Sequence, residues 1–124
     1  MNKQKSPKRT IEDHISNGIP EIQSLFNALR IEIKNLDGNI QEYPTKPYIG
    51  YKLLAYRTLF AEIHIQKKKM EIHLRPIDYL SSKLTVNKAP DGHRWTLNLL
   101  VDVYSKNDLD DIMTLIKQSY KEVL

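Results

Sequence analysis

The triplet Glu62-Ile63-His64 recurs nine residues later as Glu71-Ile72-His73, across the basic bend Lys67-Lys68-Lys69. Imidazole beside carboxylate supports two chemistries. The pair can ligate zinc or a similar divalent ion, and a carboxylate raises a neighbouring histidine's pKa for acid–base work. Both require the four side chains to share a face. Polar–apolar alternation on either side of a short polar break predicts a β-hairpin. Pairing Ile65 with Met70 sets Ile63 opposite Ile72 and Ala61 opposite Leu74 on one side. Glu62 then opposes His73, and His64 opposes Glu71, on the other. A slip of one residue would drive carboxylates and imidazoles into the apolar face, so the pattern specifies its own register. Residues of this kind more commonly form plain cross-strand polar pairs, and a flat strand pair encloses an ion poorly. No nucleophile with an activating frame accompanies them. The sequence therefore assigns no catalytic residue, no metal ligand and no cofactor.

A second group is cationic. Lys52, Arg57, Lys67, Lys68, Lys69 and Arg75 interleave with Tyr48, Tyr51, Tyr56 and Phe60. Rings that stack on bases beside cations that meet phosphates suit single-stranded nucleic acid or another anion. Against this, Tyr48 and Tyr51 have opposite parity on one strand and cannot share a face, and lysines commonly solvate an exposed sheet and blunt its edges. The glycine-aromatic signature of common RNA-binding sheets is absent.

A third group, His93, Arg94 and Trp95, follows the Asp91-Gly92 turn and sits where a loop enters a strand, a common place for ligand contacts. His14, beside Glu12 and Asp13, reads as part of a polar helix start. Established enzyme frames are missing: no glycine-rich phosphate loop, no glycine-flanked serine elbow, no Cys/His metal spacing. Glu32-Ile33-Lys34 resembles a nuclease element only superficially, because it falls inside a helical pattern.

The elements that must position these groups are legible. The 124 residues suit one domain with one core. Residues 1–10 read as a basic disordered arm and 11–124 as a single domain. The formal charge of +4 is unevenly spread: +4 over residues 1–9, −4 over 10–45, +6 over 46–94 and −2 over 95–124. The basic middle can attract polyanions. The absence of cysteine fits a reducing cytoplasm. No apolar run approaches the roughly 20 residues of a membrane span, and the basic start lacks the apolar stretch of a signal peptide. A cytoplasmic location away from membranes is expected.

A short helical segment is expected over 11–16. Pro20 then opens a helix over 20–36, whose Ile22, Leu25, Phe26, Leu29 and Ile33 recur on one face, with Gly38 as its C-cap. Strands are expected over 40–43, 48–53, 59–66 and 69–74, and a fifth over 95–104 from its strict alternation. Residues 77–94 read as the longest irregular segment. Ser105 or Asn107 caps a final helix with acidic residues in its first turn. The order predicts an α+β two-layer sandwich: a mostly antiparallel sheet of four to five strands, with an N-terminal and a C-terminal helix packed on one face.

Several segments carry a resemblance: Thr10-Ile11-Glu12-Asp13-His14-Ile15, Thr45-Lys46-Pro47-Tyr48-Ile49-Gly50-Tyr51-Lys52, Phe60-Ala61-Glu62-Ile63, residues 69–74 and residues 112–120. In this order and spacing, over 10–124, the chain resembles a family of prokaryotic domains of unknown function, family 5655, also described as a predicted transport protein domain. The specificity lies in the ordered combination rather than in any one motif. The resemblance implies an α+β domain found alone or appended to restriction- and methylase-like bacterial proteins. The chain departs from the family at Arg94-Trp95-Thr96-Leu97, which lacks the glycines that usually follow the aromatic.

The leading expectation is a non-catalytic binding or accessory module that contacts nucleic acid or a partner protein in a bacterial restriction or defence setting. The alternative is a small-molecule binding domain with a pocket under the 77–94 loop. The third is a metal-dependent hydrolase on the His–Glu hairpin face.

Overall fold

A computed structural model of the chain describes residues 9–77, 83–89 and 97–124. Thr10 opens α1 (Ile11–Ile15) with a capping box: its hydroxyl accepts from the Asp13 N–H, and the Asp13 carboxylate accepts from the Thr10 N–H. Pro20 begins α2 (Pro20–Lys34) at a position where its missing N–H costs nothing. Ile19 has no capping side chain; its N–H instead donates to the Lys67 carbonyl at 2.9 Å, fastening the helix start to the β3–β4 turn described below. The helix ends at Asn35 in right-handed conformation, so Gly38 is not its C-cap. Asp37 makes the turn instead, its carboxylate accepting from the Asn39 N–H at 2.9 Å.

Among the described residues six strands follow: β1 (Ile40–Pro44), β2 (Ile49–Leu53), β3 (Thr58–Ile65), β4 (Met70–Leu74), β5 (Thr85–Lys88) and β6 (Leu99–Val103). They form one antiparallel sheet in the order β1-β2-β3-β4-β6-β5. The expected count of four to five falls short by one or two. The extra strand, β5, lies inside the segment read as irregular. Its Thr-Val-Asn-Lys sequence has a single apolar residue, so no alternation announces it, and pairing with β6 supplies the order. Ser105 accepts from the Asn107 N–H and caps a 3-10 turn (Lys106–Asp108) that leads into α3 (Leu109–Lys121). The arm expected over 1–10 lies outside the described residues except for its last two.

The β3–β4 register is the one expected: Ile65 with Met70, His64 with Glu71, Ile63 with Ile72, Glu62 with His73, Ala61 with Leu74. Ile63, Ile72 and Leu74 are fully buried, together with Val101 and Val103 of β6 and Ile49 and Tyr51 of β2. Ile22, Leu25, Phe26, Leu29 and Ile33 of α2, with Ile112, Leu115 and Ile116 of α3, cover this face and complete one core. The opposite face of the sheet carries the alternate residues.

A bulge interrupts the regular alternation. Tyr51 pairs with Ala61 but Lys52 pairs with Leu59, leaving Phe60 as an extra residue on β3. Phe60 and Ala61 both turn into the core, where the Phe60 ring meets Tyr120 of α3 edge-on. Leu59 falls on the same face as Glu62 as a result.

Candidate functional site

The helix-free face of β3 and β4 holds Glu62, His64, Glu71 and His73. The two imidazoles are stacked, with centroids 4.1 Å apart and planes 24° from parallel. One oxygen of Glu62, Oε1, lies 3.5 Å from His64 Nε2 and 3.7 Å from His73 Nδ1. On its far side His73 Nε2 meets Glu71 Oε1 at 3.0 Å. His73 is only 7% exposed. Burial pushes its pKa below the ordinary histidine value, against the opposing pull of the Glu71 hydrogen bond. His64 Nε2 is buried and has no hydrogen-bond partner among the described residues.

Tyrosines wall the cluster on the β1–β2 side. Gly50 is opposite Glu62 on β3 and opposite Tyr43 on β1. A Cβ at Gly50 would lie 2.5 Å from the Tyr43 ring, so the missing side chain is what lets that ring lie down on the strand. Lys52 sits 5.0 Å from the same ring's centroid. Burial pushes the Tyr43 phenol up to about 12, helped by neighbouring Tyr48 and Glu62. Tyr48 packs tilted against His64 at 5.4 Å. It leaves a turn in which the Thr45 hydroxyl accepts from the Tyr48 N–H, and the Thr45 N–H donates to the Tyr48 carbonyl at 2.7 Å. The Thr45 carbonyl in turn receives His14 Nε2 at 2.7 Å. His14, expected as a polar helix-start residue, is buried, and its burial lowers its pKa.

A cavity of about 550 Å³ opens over this face. Glu62, His64 and His73 lie in its floor, Pro47 and Tyr48 form one wall, and Leu59 and Leu97 contribute apolar surface. Arg57, Thr58 and Arg75 complete the lining. Arg75 is held twice. Its Nε donates to the Leu59 carbonyl at 2.9 Å, and its backbone N–H donates to Ser119 Oγ at 3.0 Å. The fully buried Ser119 hydroxyl itself donates to the carbonyl of the bulge residue Phe60. Arg57 adopts a left-handed backbone conformation at φ 51°, which a residue with a Cβ enters at a cost of about 1–2 kcal/mol.

The six cations singled out in the sequence do not make one patch. Arg57 and Arg75 both line the cavity, near the start of β3. Lys67 and Lys68 are exposed in the turn beyond its other end. Lys69 is engaged with Asp102 at 3.2 Å, and Lys52 is occupied by Tyr43. Tyr51 faces the core, where its hydroxyl donates to Glu42 at 2.7 Å, so it offers no platform beside Tyr48. His93, Arg94 and Trp95 lie outside the described residues.

A family model for a domain of unknown function matches residues 11–122, nearly the whole chain. The chain belongs to the DUF5655 family. This DUF5655 domain has the α+β fold described above. The chain is also 32% identical over 113 residues to an uncharacterized protein of Haemophilus influenzae, a match covering 89% of this chain and 36% of that relative. The chain thus spans about a third of the length of the curated relative it matches. No solved structure matches the chain. Two segments that carried the DUF5655 resemblance, residues 10–15 and 45–52, meet through the His14–Thr45 contact beside the cavity.

Sequence reasoning identified Glu62, His64, Glu71 and His73 as a cluster, and Arg57 and Arg75 as cations. It passed over Tyr43, Pro47, Thr58, Leu59 and Leu97. Leu59 was hidden by the bulge, which shifts parity by one residue. Tyr43 had a signal available: an aromatic that falls opposite a strand glycine commonly lies across it.

Proposed function

We propose that this domain is a binding module whose cavity takes a small molecule with an anionic group and a largely apolar or aromatic body. The carrying observation is that Arg57 and Arg75 both line a cavity shared with Tyr48, Pro47, Leu59 and Leu97. Guanidinium groups match carboxylate and phosphate geometry with paired N–H donors. Arg75 uses Nε on the Leu59 carbonyl, which orients the rest of its fork. The strained backbone at Arg57 also supports a role in binding, since a glycine there would carry no such cost. Mixed apolar and cationic lining of this size suits a small ligand.

Expected nucleic-acid contact draws less support. It needs a continuous basic track, and Lys67 and Lys68 lie at the far end of β3 from Arg57.

Phenyl phosphate serves as a probe in a calorimetric titration, with a single-stranded oligonucleotide as the second arm. The expected result is saturable binding of phenyl phosphate that weakens at least tenfold in Arg75→Gln and in Arg57→Gly. Arg57→Gly should fold at least as stably as the parent, which separates lost binding from lost structure. Absence of phenyl phosphate binding would reject the reading. So would tighter oligonucleotide binding that depends on Lys67 and Lys68 and falls steeply with salt.

A further inference from the structure

We propose that Glu62, His64 and His73 form a binding site for one divalent transition metal ion, zinc being the best match, with Glu71 as the outer partner that orients His73. The site stands on the cluster itself and does not require the anion reading; the cavity only supplies the direction from which a fourth ligand would come.

The donor spacing fits a tetrahedral ion. A tetrahedral ion with bonds of about 2.1 Å places its donor atoms about 3.4 Å apart. Glu62 Oε1 lies 3.5 Å from His64 Nε2 and 3.7 Å from His73 Nδ1. One donor atom from each of the three residues falls within 4.8 Å of the other two. Two imidazoles and one carboxylate are a common donor set for zinc with an open position.

Glu71 stands where an outer partner of His73 would. His73 Nε2 lies 3.0 Å from Glu71 Oε1. An Nε2–H donating to that carboxylate puts the ring's lone pair on Nδ1, the nitrogen that faces Glu62. Histidines that ligate metals typically carry their other N–H on a carboxylate or carbonyl in this way.

Glu62 Oε1 approaches His64 Nε2 at 3.5 Å, too long for a good hydrogen bond. Buried His64 Nε2 has no hydrogen-bond partner among the described residues. A buried nitrogen without a bond is costly. A cation between Glu62 and His64 gives that nitrogen a partner.

Ring geometry sets one condition. Lone pairs lie in the imidazole planes, and stacked planes 24° from parallel do not converge on one point. Binding therefore tilts one ring out of the stack. His64 is the ring to move, because His73 is tethered by Glu71 and its side chain is less exposed, 8% against 23%.

The test is titration of chelator-treated protein with Zn²⁺, and with Co²⁺ as a spectroscopic substitute. The expected result is one equivalent bound, with the intense visible absorption of low-coordinate Co²⁺. His64→Ala, His73→Ala and Glu62→Gln should each weaken binding more than tenfold. Glu71→Gln, which leaves all three ligands in place, should weaken it about 10- to 100-fold. Arg75→Gln should weaken phenyl phosphate binding yet still bind one equivalent of metal, so loss of the anion reading and loss of the metal site are told apart. Circular dichroism of each variant identifies any that fails to fold, and His64→Gln replaces His64→Ala in that event. The absence of saturable binding at one equivalent would overturn the proposal. Metal binding that survives undiminished in folded His64 and Glu62 variants would also overturn it.

Discussion

His64 and His73 stack face to face across the β3–β4 pair, 4.1 Å between centroids, although neither stands directly opposite the other in the register. They are diagonal neighbours: His64 is paired with Glu71 and His73 with Glu62. Diagonal contact on a twisted sheet lets two imidazoles share the one Glu62 carboxylate, and it leaves Glu71 for the outer edge of His73. The same arrangement brings the cluster under Tyr48 on one side and toward Arg75 on the other.

Acid should destabilise the fold through His14. This side chain is 1% exposed and Nε2 sits 2.7 Å from the Thr45 carbonyl. Burial holds its pKa below the ordinary value and the carbonyl bond opposes that; Arg9 and His64 disfavour the charge and Asp13 favours it. The unfolded chain takes up this proton near pH 6.5, before the folded chain does. The unfolded state then holds more protons, and stability falls as pH drops below about 6.5. Above that window this residue contributes no slope. The melting temperature, measured in chelator from pH 7.5 to 5, should decline, and His14→Gln should flatten the decline. An unaltered slope in the variant would assign the effect elsewhere.

Gly50→Ala should displace Tyr43. The new Cβ would lie 2.5 Å from ring atoms of Tyr43, closer than any stable contact. The ring has to swing away, uncovering Glu62 and breaking the contact with Lys52, at about 1–3 kcal/mol in urea denaturation. Placed in a Tyr43→Ala background, the same change should cost at least 0.5 kcal/mol less. Equal costs in both backgrounds would mean that the ring does not depend on the glycine.

Ser119→Ala should loosen Arg75. One buried hydroxyl accepts from the Arg75 N–H and donates to the Phe60 carbonyl, tying α3 to the bulge in β3 and the end of β4. Removing it strands two backbone groups, for a loss of about 1–3 kcal/mol. Hydrogen exchange at the Arg75 amide should accelerate by more than the global destabilisation accounts for. Exchange that merely tracks global stability would show that the hydroxyl does not position Arg75.

Glu42→Ala should be more damaging than a surface change. Glu42 takes hydrogen bonds from Arg30 Nε at 2.8 Å and Nη2 at 2.7 Å and from the Tyr51 hydroxyl at 2.7 Å. Its side chain is 8% exposed and that of Arg30 is 31%. Breaking a fully buried pair costs 3–5 kcal/mol, and partial exposure of Arg30 lowers this to roughly 2 kcal/mol. Tyr51→Phe should cost about 1 kcal/mol, and the two changes together less than their sum. Additive losses would mean that the three groups do not act as a network.

What the amino-acid sequence determined is what recurs along the chain. A period of two in residues 61–65 and 70–74 set the hairpin register and separated Ile63 and Ile72 from Glu62, His64, Glu71 and His73. A period near 3.6 marked the buried faces of α2 and α3. These signals are local, because one wrong step would bury charge. What only the tertiary structure decided is which elements approach from elsewhere. β5 is ordered by its pairing with β6, not by its own residues. The Phe60 bulge moved Leu59 to the open face, and α1 delivered His14 to Thr45 from 31 residues away. Arg57 and Arg75 line one cavity because β3 begins near the end of β4, whereas Lys67 and Lys68 were carried to the opposite tip. Periodicity records which way a side chain points, whereas its neighbours depend on strand order and loop paths that no short stretch of sequence encodes.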